Sequence, residues 1–383
     1  MIHNYYQQPG GEDLSFEQEA KLLEERDHFV LRHSLSNDAI SGMNKIGLAA
    51  RTLYNFEQAR RVSSLIHENS IDLVHLQNTF PLISLAVVDS AFRAKVPVVV
   101  SVRNYRFVCP AATLFRHGEE CQLCVGRSLA WPGVIHACYR GSYSGSATVA
   151  AMLALHRARG TFSRVSAYVA LTDFVKQKLI EGGIPASLIS IKPNFVDPDP
   201  GAGPGDGGFA LFVGRLTQEK GIGVLLEAAS LGDFNLRIVG DGPLAKNVLN
   251  AQSNGRVTWT RFLPHHDLMT LIGQASLLIV PSVWPEPFGR VVVEAFATGT
   301  PVVASNLAPL RETVRDATLG GLFQPGNPRD LANHVKSMMD DTQRLAAMRA
   351  ATRTEFLRRF SADANYEMLL QIYRSVLSER GED

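Results

Sequence analysis

The chain has 383 residues, of which 45% are hydrophobic, and a formal net charge of +1 at pH 7. This length predicts two or three domains with sizeable cores, and the near-neutral charge argues against a dedicated nucleic-acid-binding protein. The sequence contains no run of about 18 or more apolar residues and no signal-peptide pattern, so we expect a cytoplasmic protein.

The first half of the chain alternates short apolar runs with longer helical stretches. This alternation is typical of a parallel sheet that is covered by helices on both faces. The predicted strands are 71–76, 96–102, 169–171 and 189–193, and the predicted helices include 17–26 and 57–68.

Two adjacent glycines, Gly10 and Gly11, precede the first helical run. Glycine lets the backbone approach a phosphate or an acceptor closely. A plain turn is the alternative interpretation of such a pair.

All four cysteines, Cys109, Cys121, Cys124 and Cys138, fall within one 30-residue window. Four thiolates with a Cys-x2-Cys knuckle suit tetrahedral zinc, and such a site would be structural because no coordination position stays open. We therefore predict structural zinc, with reduced cysteines and an iron–sulfur or redox role as alternatives. Disulfides are disfavoured by the expected cytoplasmic location.

Residues 139–164 are rich in small, weakly apolar side chains and carry Arg157, Arg159 and Arg164 near their end. The stretch favours an ordinary packed helix with a solvated basic end. Contact with a lipid-linked acceptor is the alternative.

A segment rich in proline and glycine, 197–208, separates this half from a second αβ half. Its composition predicts a linker. The second half has predicted strands at 210–213, 236–239, 256–260, 277–280 and 301–304. Two doubly wound domains are therefore predicted, with ligands beyond the carboxyl ends of their strands.

Two cations, Arg215 and Lys220, follow the first strand of this second half. They lie in a loop that begins at Gly214. Fixed cations lower the barrier of a reaction in which negative charge develops on a leaving phosphate. Ordinary solvated surface cations are the alternative. Gly240 follows the next strand in a glycine turn, and we assign it to the architecture of a nucleotide pocket.

Two carboxylates, Glu286 and Glu294, flank the Pro-Phe-Gly turn 287–289. Glu286 lies on a loop because Pro-Glu-Pro cannot be helical, whereas Glu294 lies in a helix predicted for residues 291–298. The start of that helix offers free amides to an anionic or hydroxyl-rich ligand. The alternative is a solvated loop acid and an ordinary glutamate near a helix start.

Together these motifs resemble, along nearly the whole chain, the GT-B glycosyltransferases of glycosyltransferase family four, whose signature is E-x7-E and some of which carry a Cys-rich insertion. The resemblance implies an α/β GT-B fold, with two doubly wound Rossmann-like domains facing a central cleft. The implied parts are an acceptor-side domain (1–196, insertion 109–138), a linker (197–208), a nucleotide-sugar-binding domain (209–360) and a helix that crosses back (361–383).

The resemblance also implies an enzyme that transfers a sugar, with retained configuration and without a catalytic metal, from a UDP- or GDP-sugar to a hydroxyl of a glycan or lipid-linked acceptor. Polysaccharide or glycoconjugate biosynthesis, and peripheral contact with the inner face of the cell membrane, are further expectations. The implied catalytic residues are Glu286, Arg215 and Lys220. The implied donor-binding residues are Gly10, Gly11, Arg103, Gly214, Gly240, Pro287, Phe288, Gly289 and Glu294.

Two features depart from the family pattern. Arg103 stands where many relatives have histidine, and a guanidinium cannot replace a neutral imidazole without changing the pocket. Only Met1-Ile2 is left for a first strand that usually spans several residues, so we expect either a shortened sheet or a start further upstream. A non-catalytic GT-B protein would explain both departures, and a GT-B epimerase or phosphorylase is a further alternative.

Overall fold

The computed structural model describes residues 1–8 and 10–378, without the side chain of Asn254. The chain divides into two compact units. Unit 1 comprises Met1–Leu114, Cys121–Lys192 and the chain from Tyr366 onward, and unit 2 comprises Phe115–Glu120 and Pro193–Asn365. Residues 379–383 of the predicted final helix lie outside the described residues.

Unit 1 contains a six-stranded parallel sheet. Its four central strands are almost entirely buried on both faces, which explains the apolar runs in the sequence. The strands up to residue 192 are β1 (Ile2–Tyr5), β2 (His33–Ser36), β3 (Val74–Leu76), β4 (Val98–Val102), β5 (Phe115–Arg116), β6 (Glu119–Glu120), β7 (Ala167–Ala170) and β8 (Ile189–Ile191). The sheet has the order β2-β1-β3-β4-β7-β8, and β5 and β6 form a separate hairpin.

The helices of this part of the chain follow the strands in the alternating order that the sequence predicts. They are α1 (Gly11–Glu24), α2 (Lys45–Leu53), α3 (Phe56–Glu68), α4 (Ala86–Arg93), α5 (Trp131–Ile135), α6 (Tyr143–Ala158) and α7 (Asp173–Glu181).

The first strand is longer than the sequence suggests. β1 runs over four residues and lies between β2 and β3, so the prediction that only Met1-Ile2 remains is wrong. The hydrophobic pattern does not indicate this strand because His3 and Asn4 are polar, although both are buried. Each has a buried partner, since His3 Nε2 lies 2.7 Å from Asp13 Oδ1 and Asn4 Nδ2 donates to Asn37 Oδ1 at 2.8 Å.

Unit 2 contains a second six-stranded parallel sheet, with the order β11-β10-β9-β12-β13-β14. Its strands are β9 (Ala210–Val213), β10 (Leu236–Val239), β11 (Val257–Thr260), β12 (Leu277–Val280), β13 (Val302–Ser305) and β14 (Gly320–Phe323). The five strands predicted for this half are present. The sequence does not predict β14 because two of its four residues are glycine.

The helices of the second half cover its sheet. The last of them belongs to unit 1 from Tyr366 onward. They are α8 (Ile222–Leu231), α9 (Ala245–Ala251), α10 (His265–Gln274), α11 (Arg290–Ala297), α12 (Ala308–Thr313), α13 (Pro328–Asp340), α14 (Thr342–Arg359) and α15 (Ala362–Ser378). None of the helices that the structure describes is long and apolar enough to cross a bilayer.

The glycine-rich segment 197–208, for which the sequence predicts a linker, packs on unit 2. Gly205 N–H donates to Gly273 O at 2.9 Å, and Arg349 Nη2 donates to Gly203 O at 2.7 Å. A Cβ atom on Gly203 would lie 2.4 Å from Gly273 Cα. Glycine is therefore required at position 203 for close backbone approach.

A buried ionic cluster lies within unit 1. The Glu19 carboxylate forms ion pairs with Lys192 and, at 3.0 Å, with Arg103 Nη2, and all three side chains are almost fully buried. Burial by itself raises the pKa of Glu19, but the charges of Lys192 and Arg103 outweigh it and lower the pKa to about 2. Removing the carboxylate would leave Lys192 and Arg103 buried without its negative charge. An uncompensated buried charge is strongly destabilising.

A buried histidine lies beside this cluster. His75 Nδ1 lies 2.6 Å from the Tyr373 hydroxyl of α15, and His75 Nε2 lies 2.9 Å from Ser101 Oγ. Burial lowers the pKa of His75 to about 3. Both His75 and Glu19 therefore bind more protons in the unfolded chain than in the folded chain at acidic pH, so stability falls as the pH is lowered.

We expect the free energy of unfolding to decrease below about pH 6.5, by about 1.4 kcal/mol per pH unit from His75 alone. Glu19 adds to the loss below about pH 4.5. Urea unfolding between about pH 7.5 and 5 measures the slope for the wild type and for His75→Gln, which cannot take up this proton. A shallower slope in His75→Gln is expected, and identical slopes would contradict the assignment.

Candidate active site

The loops after β9, β10 and β12 leave the same edge of the second sheet because its strands are parallel. The first two loops touch at their glycines. Gly214 N–H donates to Val239 O at 3.0 Å, and a Cβ atom on Gly240 would lie 1.9 Å from Gly214 O. The predicted glycines thus let two loops approach each other at the carboxyl edge.

Gly221 brings the β9 loop against the loop after β12. Its φ is +73°, and a Cβ atom there would lie 1.8 Å from Pro281 O, so no other residue fits without a shift of the backbone. Val283 N–H also donates to Glu219 O at 3.0 Å. These backbone contacts place Lys220, the residue before Gly221, beside residues 281–286.

Lys220 and Glu286 form an ion pair, with 2.8 Å between Lys220 Nζ and Glu286 Oε1. The Glu286 side chain is only 6% exposed, and the Ser282 hydroxyl also donates to it. An ammonium group has three N–H donors, so Lys220 can serve a further acceptor. The pair offers a hydroxyl-binding carboxylate and an anion-binding cation side by side.

Trp284 lies close to this pair. It is not among the site residues predicted from the sequence. Its ring centroid is 5.9 Å from Lys220 Nζ. The buried Trp284 Nε1–H and the buried Thr217 hydroxyl have no hydrogen-bond partner among the residues that the structure describes. Buried donors without partners are costly, so a bound ligand or water is the natural acceptor. The only sign of Trp284 in the sequence is that a tryptophan directly precedes Pro-Glu-Pro.

Gly289 and Glu294 lie at the start of α11. Gly289 has a φ of +74° and precedes the first helical residue, Arg290, one residue earlier than predicted. Glu294 Oε1 accepts a hydrogen bond from Arg290 Nε at 3.1 Å, and both side chains are mostly buried. The sequence analysis missed Arg290, although a Glu four residues after an Arg on a helix is a recognisable pair.

The remaining predicted residues of unit 2 differ in exposure. The Arg215 side chain is 70% exposed and lies 3.7 Å from Glu219 Oε1, so it is accessible to an anionic ligand. Pro287 is half-buried. The Phe288 ring is buried and packs on Phe360 with 6.2 Å between centroids, so this side chain belongs to the core.

In unit 1, Gly10 and Gly11 are exposed at the N-terminus of α1. Asp13 orders them, since its Oδ2 accepts from Gly10 N–H at 3.0 Å while its Oδ1 lies 2.7 Å from His3 Nε2. The sequence analysis missed Asp13. Its signal is an acidic residue three positions after the helix cap.

Arg103 is almost fully buried. Its guanidinium pairs with Glu19, and Arg103 Nε donates to Gln77 Oε1 at 2.8 Å. The side chain is 3% exposed. The structure therefore places the predicted donor-binding cation inside the buried ionic cluster.

A cavity of about 60 Å³ lies near the carboxyl ends of β3 and β4 in unit 1. Leu76, Val100 and Met152 are among the residues that line it. Arg103 and Arg106 also line it, and the Arg106 guanidinium lies 4.0 Å from the centroid of the Phe80 ring. The cavity is therefore lined by both apolar and cationic side chains.

The four cysteines do not support the predicted zinc site. No disulfide joins them, and burial raises the pKa of the Cys124 thiol to about 11. Among the described residues, no three or more His, Cys, Asp or Glu side chains are arranged to hold a metal ion.

Both halves of the chain match models of known protein families. Residues 18–200 match the family model "Glycosyltransferase Family 4", and residues 197–355 match "Glycosyl transferases group 1". The chain is 30% identical over 246 residues to the 2-deoxystreptamine glucosyltransferase of Streptomyces kanamyceticus, covering 58% of this chain and 63% of that protein.

Another relative is the phosphatidyl-myo-inositol mannosyltransferase of Mycobacterium leprae, 33% identical over 175 residues, which cover 43% of this chain and 46% of that protein. The chain thus spans about half to two thirds of these relatives. The solved structure of Anabaena Alr3699/HepE in complex with UDP has the same fold, with a TM-score of 0.69 at 20% identity over 98% of this chain and 99% of that one. The GT-B fold is thereby confirmed.

We expect Trp284→Phe to lower the free energy of unfolding less than Trp259→Phe does, because no protein group among the described residues accepts from Trp284 Nε1–H. Trp259→Phe is the matched control, since Trp259 Nε1 donates to Gly240 O at 2.8 Å. This control should lose about 1 kcal/mol. Urea unfolding of both variants measures the difference, and equal losses would contradict the assignment.

Proposed function

We propose that this chain, a GT-B glycosyltransferase matching the family four and group 1 models, transfers a sugar from a nucleotide-sugar donor to an acceptor hydroxyl with retained configuration. The observation that carries the proposal is the Lys220–Glu286 pair at the carboxyl edge of the second sheet.

The donor follows from the chemistry of the pair. A carboxylate accepts hydrogen bonds from sugar hydroxyls, and an ammonium group binds phosphate. Because Glu286 and Lys220 are 2.8 Å apart, the ligand that suits both has a hydroxyl-rich part directly joined to an anionic part. A sugar diphosphate has this structure.

Catalysis would rest on stabilising the leaving diphosphate. When the bond between the anomeric carbon and the phosphate oxygen breaks, negative charge grows on that oxygen, and fixed cations stabilise it. Lys220 has N–H donors beyond the one that contacts Glu286, and Arg215 is exposed beside the same loop. The departing phosphate oxygen would take the proton of the acceptor hydroxyl on the same face, which retains the configuration.

Glu286 would position the sugar and would not attack it. Its carboxylate is already engaged by the Lys220 ammonium and the Ser282 hydroxyl, and both donors reduce its nucleophilicity. Glu294, oriented by Arg290, would bind the ribose hydroxyls. Gly214, Gly240 and Gly289 would let the nucleotide approach the backbone.

For unit 1, we infer an anion-binding role for the amides at Gly10 and Gly11, which lie at a helix start. Arg103 would act indirectly, by holding the end of β4 through Glu19 and Gln77. We infer UDP as the nucleotide, with GDP as the alternative, because the structural neighbour was solved with UDP.

We infer a glycan or lipid-linked acceptor in polysaccharide or glycoconjugate biosynthesis. The names of two relatives mention 2-deoxystreptamine and phosphatidyl-myo-inositol. The cavity near the ends of β3 and β4 is lined by both apolar and cationic side chains, which suits one end of such an acceptor. A lipid-linked acceptor would bring the enzyme to the inner face of the cell membrane.

The test is nucleotide release from a panel of UDP-, GDP- and ADP-sugars with lipid-linked and soluble glycan acceptors. We expect acceptor-dependent release from one donor. Glu286→Gln should lower kcat/KM by about 100-fold, because it loses interactions that strengthen in the transition state. The exposed Glu227→Gln on α8 is the control and should keep wild-type rates.

The alternatives give different results in the same assay. Donor binding without release from any donor would favour a non-catalytic sugar-nucleotide-binding protein. Release that is insensitive to Glu286→Gln would contradict the site and leave the reaction class intact.

A further inference from the structure

The two cations of the candidate active site already have carboxylate partners. Lys220 Nζ lies 2.8 Å from Glu286 Oε1, and Arg215 Nη2 lies 3.7 Å from Glu219 Oε1. Two positive charges are thus matched by two negative charges. A diphosphate that leaves with growing negative charge therefore gains from hydrogen-bond donors in addition to these ion pairs.

Two such donors lie in the same loops as the ion pairs. Thr217 stands between Arg215 and Lys220 in the loop after β9, and Trp284 precedes Glu286 by two residues in the loop after β12. The Thr217 hydroxyl and the Trp284 indole N–H are buried and have no hydrogen-bond partner in the described part of the chain. A buried donor without an acceptor is destabilising, so each donor gains when a ligand supplies the acceptor.

The backbone around both donors is fixed by hydrogen bonds. Leu216 N–H, next to Thr217, donates to Asp241 O at 2.9 Å. Glu286 N–H donates to Trp284 O at 2.8 Å. The loops therefore hold the two donors beside the ion pairs, and a rotation of the side chains is enough to present them to a ligand.

Both residues are half-buried, so they can make this rotation. Their polar atoms are covered while other atoms of the same residues are exposed, and a change of rotamer exchanges the two without moving the backbone. Ser305 is the contrasting case. Its hydroxyl also lacks a partner, but the residue is 0% exposed at the end of β13, so a ligand at the surface does not reach it.

The chemistry of the donors indicates which ligand atoms they suit. An indole N–H only donates, and the Lys220 ammonium, 5.9 Å from the centroid of the Trp284 ring, also only donates. A phosphate oxygen only accepts. A sugar hydroxyl both donates and accepts, and the Glu286 carboxylate is the group that accepts from it. A cluster of donors therefore suits the phosphate better than the sugar.

We propose that Trp284 Nε1–H and the Thr217 hydroxyl bind the phosphate that joins the sugar to the nucleotide. The bond between the anomeric carbon and the phosphate oxygen breaks with its electron pair on that oxygen, which then takes the proton of the acceptor hydroxyl. The two neutral donors stabilise the charge that grows there. The inference rests on the proposed function, because it takes the donor to be a sugar joined to a nucleoside diphosphate.

Calorimetric titration of the full chain with UMP, UDP and UDP-glucose tests the assignment, because these ligands differ by one phosphate and then by one sugar. Trp284→Phe and Thr217→Val should each weaken the binding of UDP and UDP-glucose by about 10-fold, since each loses a hydrogen bond to a charged group. The binding of UMP should not change. GMP, GDP and GDP-mannose replace these ligands if only guanosine nucleotides bind.

Two further variants serve as controls. Thr217→Ser keeps the hydroxyl and should bind all three ligands like the wild type. Ser305→Ala removes a hydroxyl that lacks a partner but is fully buried, and it should also bind like the wild type. A loss in Ser305→Ala equal to the loss in Thr217→Val would contradict the proposal.

Other outcomes separate this inference from the proposed function. Equal losses for UMP and UDP, a loss confined to UDP-glucose, or an unchanged affinity for UDP in both variants would overturn the phosphate assignment and leave the transferase proposal intact. A wild type that binds no nucleoside diphosphate would overturn the proposed function and this inference with it.

Tryptophan fluorescence tests whether the indole meets the ligand, because the chain has only three tryptophans. In the double variant Trp131→Phe, Trp259→Phe, the emission reports Trp284 alone. UDP should change this emission with the Kd that calorimetry gives, and UMP should leave it unchanged. Emission that stays constant at saturating UDP would contradict the rotation of the indole towards the phosphate.

Discussion

The candidate site depends on one close contact between two loops that are far apart in sequence. Gly221 lies against Pro281 O so closely that a side chain there would overlap the carbonyl. This contact sets Lys220 beside Glu286. It is possible because β9 and β12 are neighbours in the sheet, so that their carboxyl ends, and the loops that follow, meet at one edge. The chemistry proposed for the pair is therefore a consequence of strand order and of one glycine.

Much of the second half could be predicted from the sequence because its strands are short apolar runs between clear breakers, and β9, β10 and β12 have the predicted bounds. The carboxylates and the cations could be found because they lie in recognisable motifs. Their pairing could not, since residues 220 and 286 become neighbours only through the sheet order. Trp284 and Asp13 were beyond prediction for a related reason: their roles depend on burial and on hydrogen bonds that no local pattern encodes.

The first half shows how buried polar residues mislead an analysis by hydrophobic pattern. His3 and Asn4 interrupt the apolar pattern of β1, yet both have partners inside unit 1. Arg103, for which the family resemblance implies donor binding, pairs its guanidinium with Glu19 in the interior. The Cys-rich segment predicts zinc, whereas among the described residues no three or more His, Cys, Asp or Glu side chains are arranged to hold a metal ion.

The most direct test of the site is a crystal structure of the chain with its sugar-nucleotide donor, or a non-hydrolysable analogue, bound. The account predicts a sugar hydroxyl within about 3.2 Å of a Glu286 carboxylate oxygen and a diphosphate oxygen within about 3.2 Å of Lys220 Nζ. A donor bound elsewhere, with the Lys220–Glu286 pair intact and in contact with neither sugar nor phosphate, would contradict it.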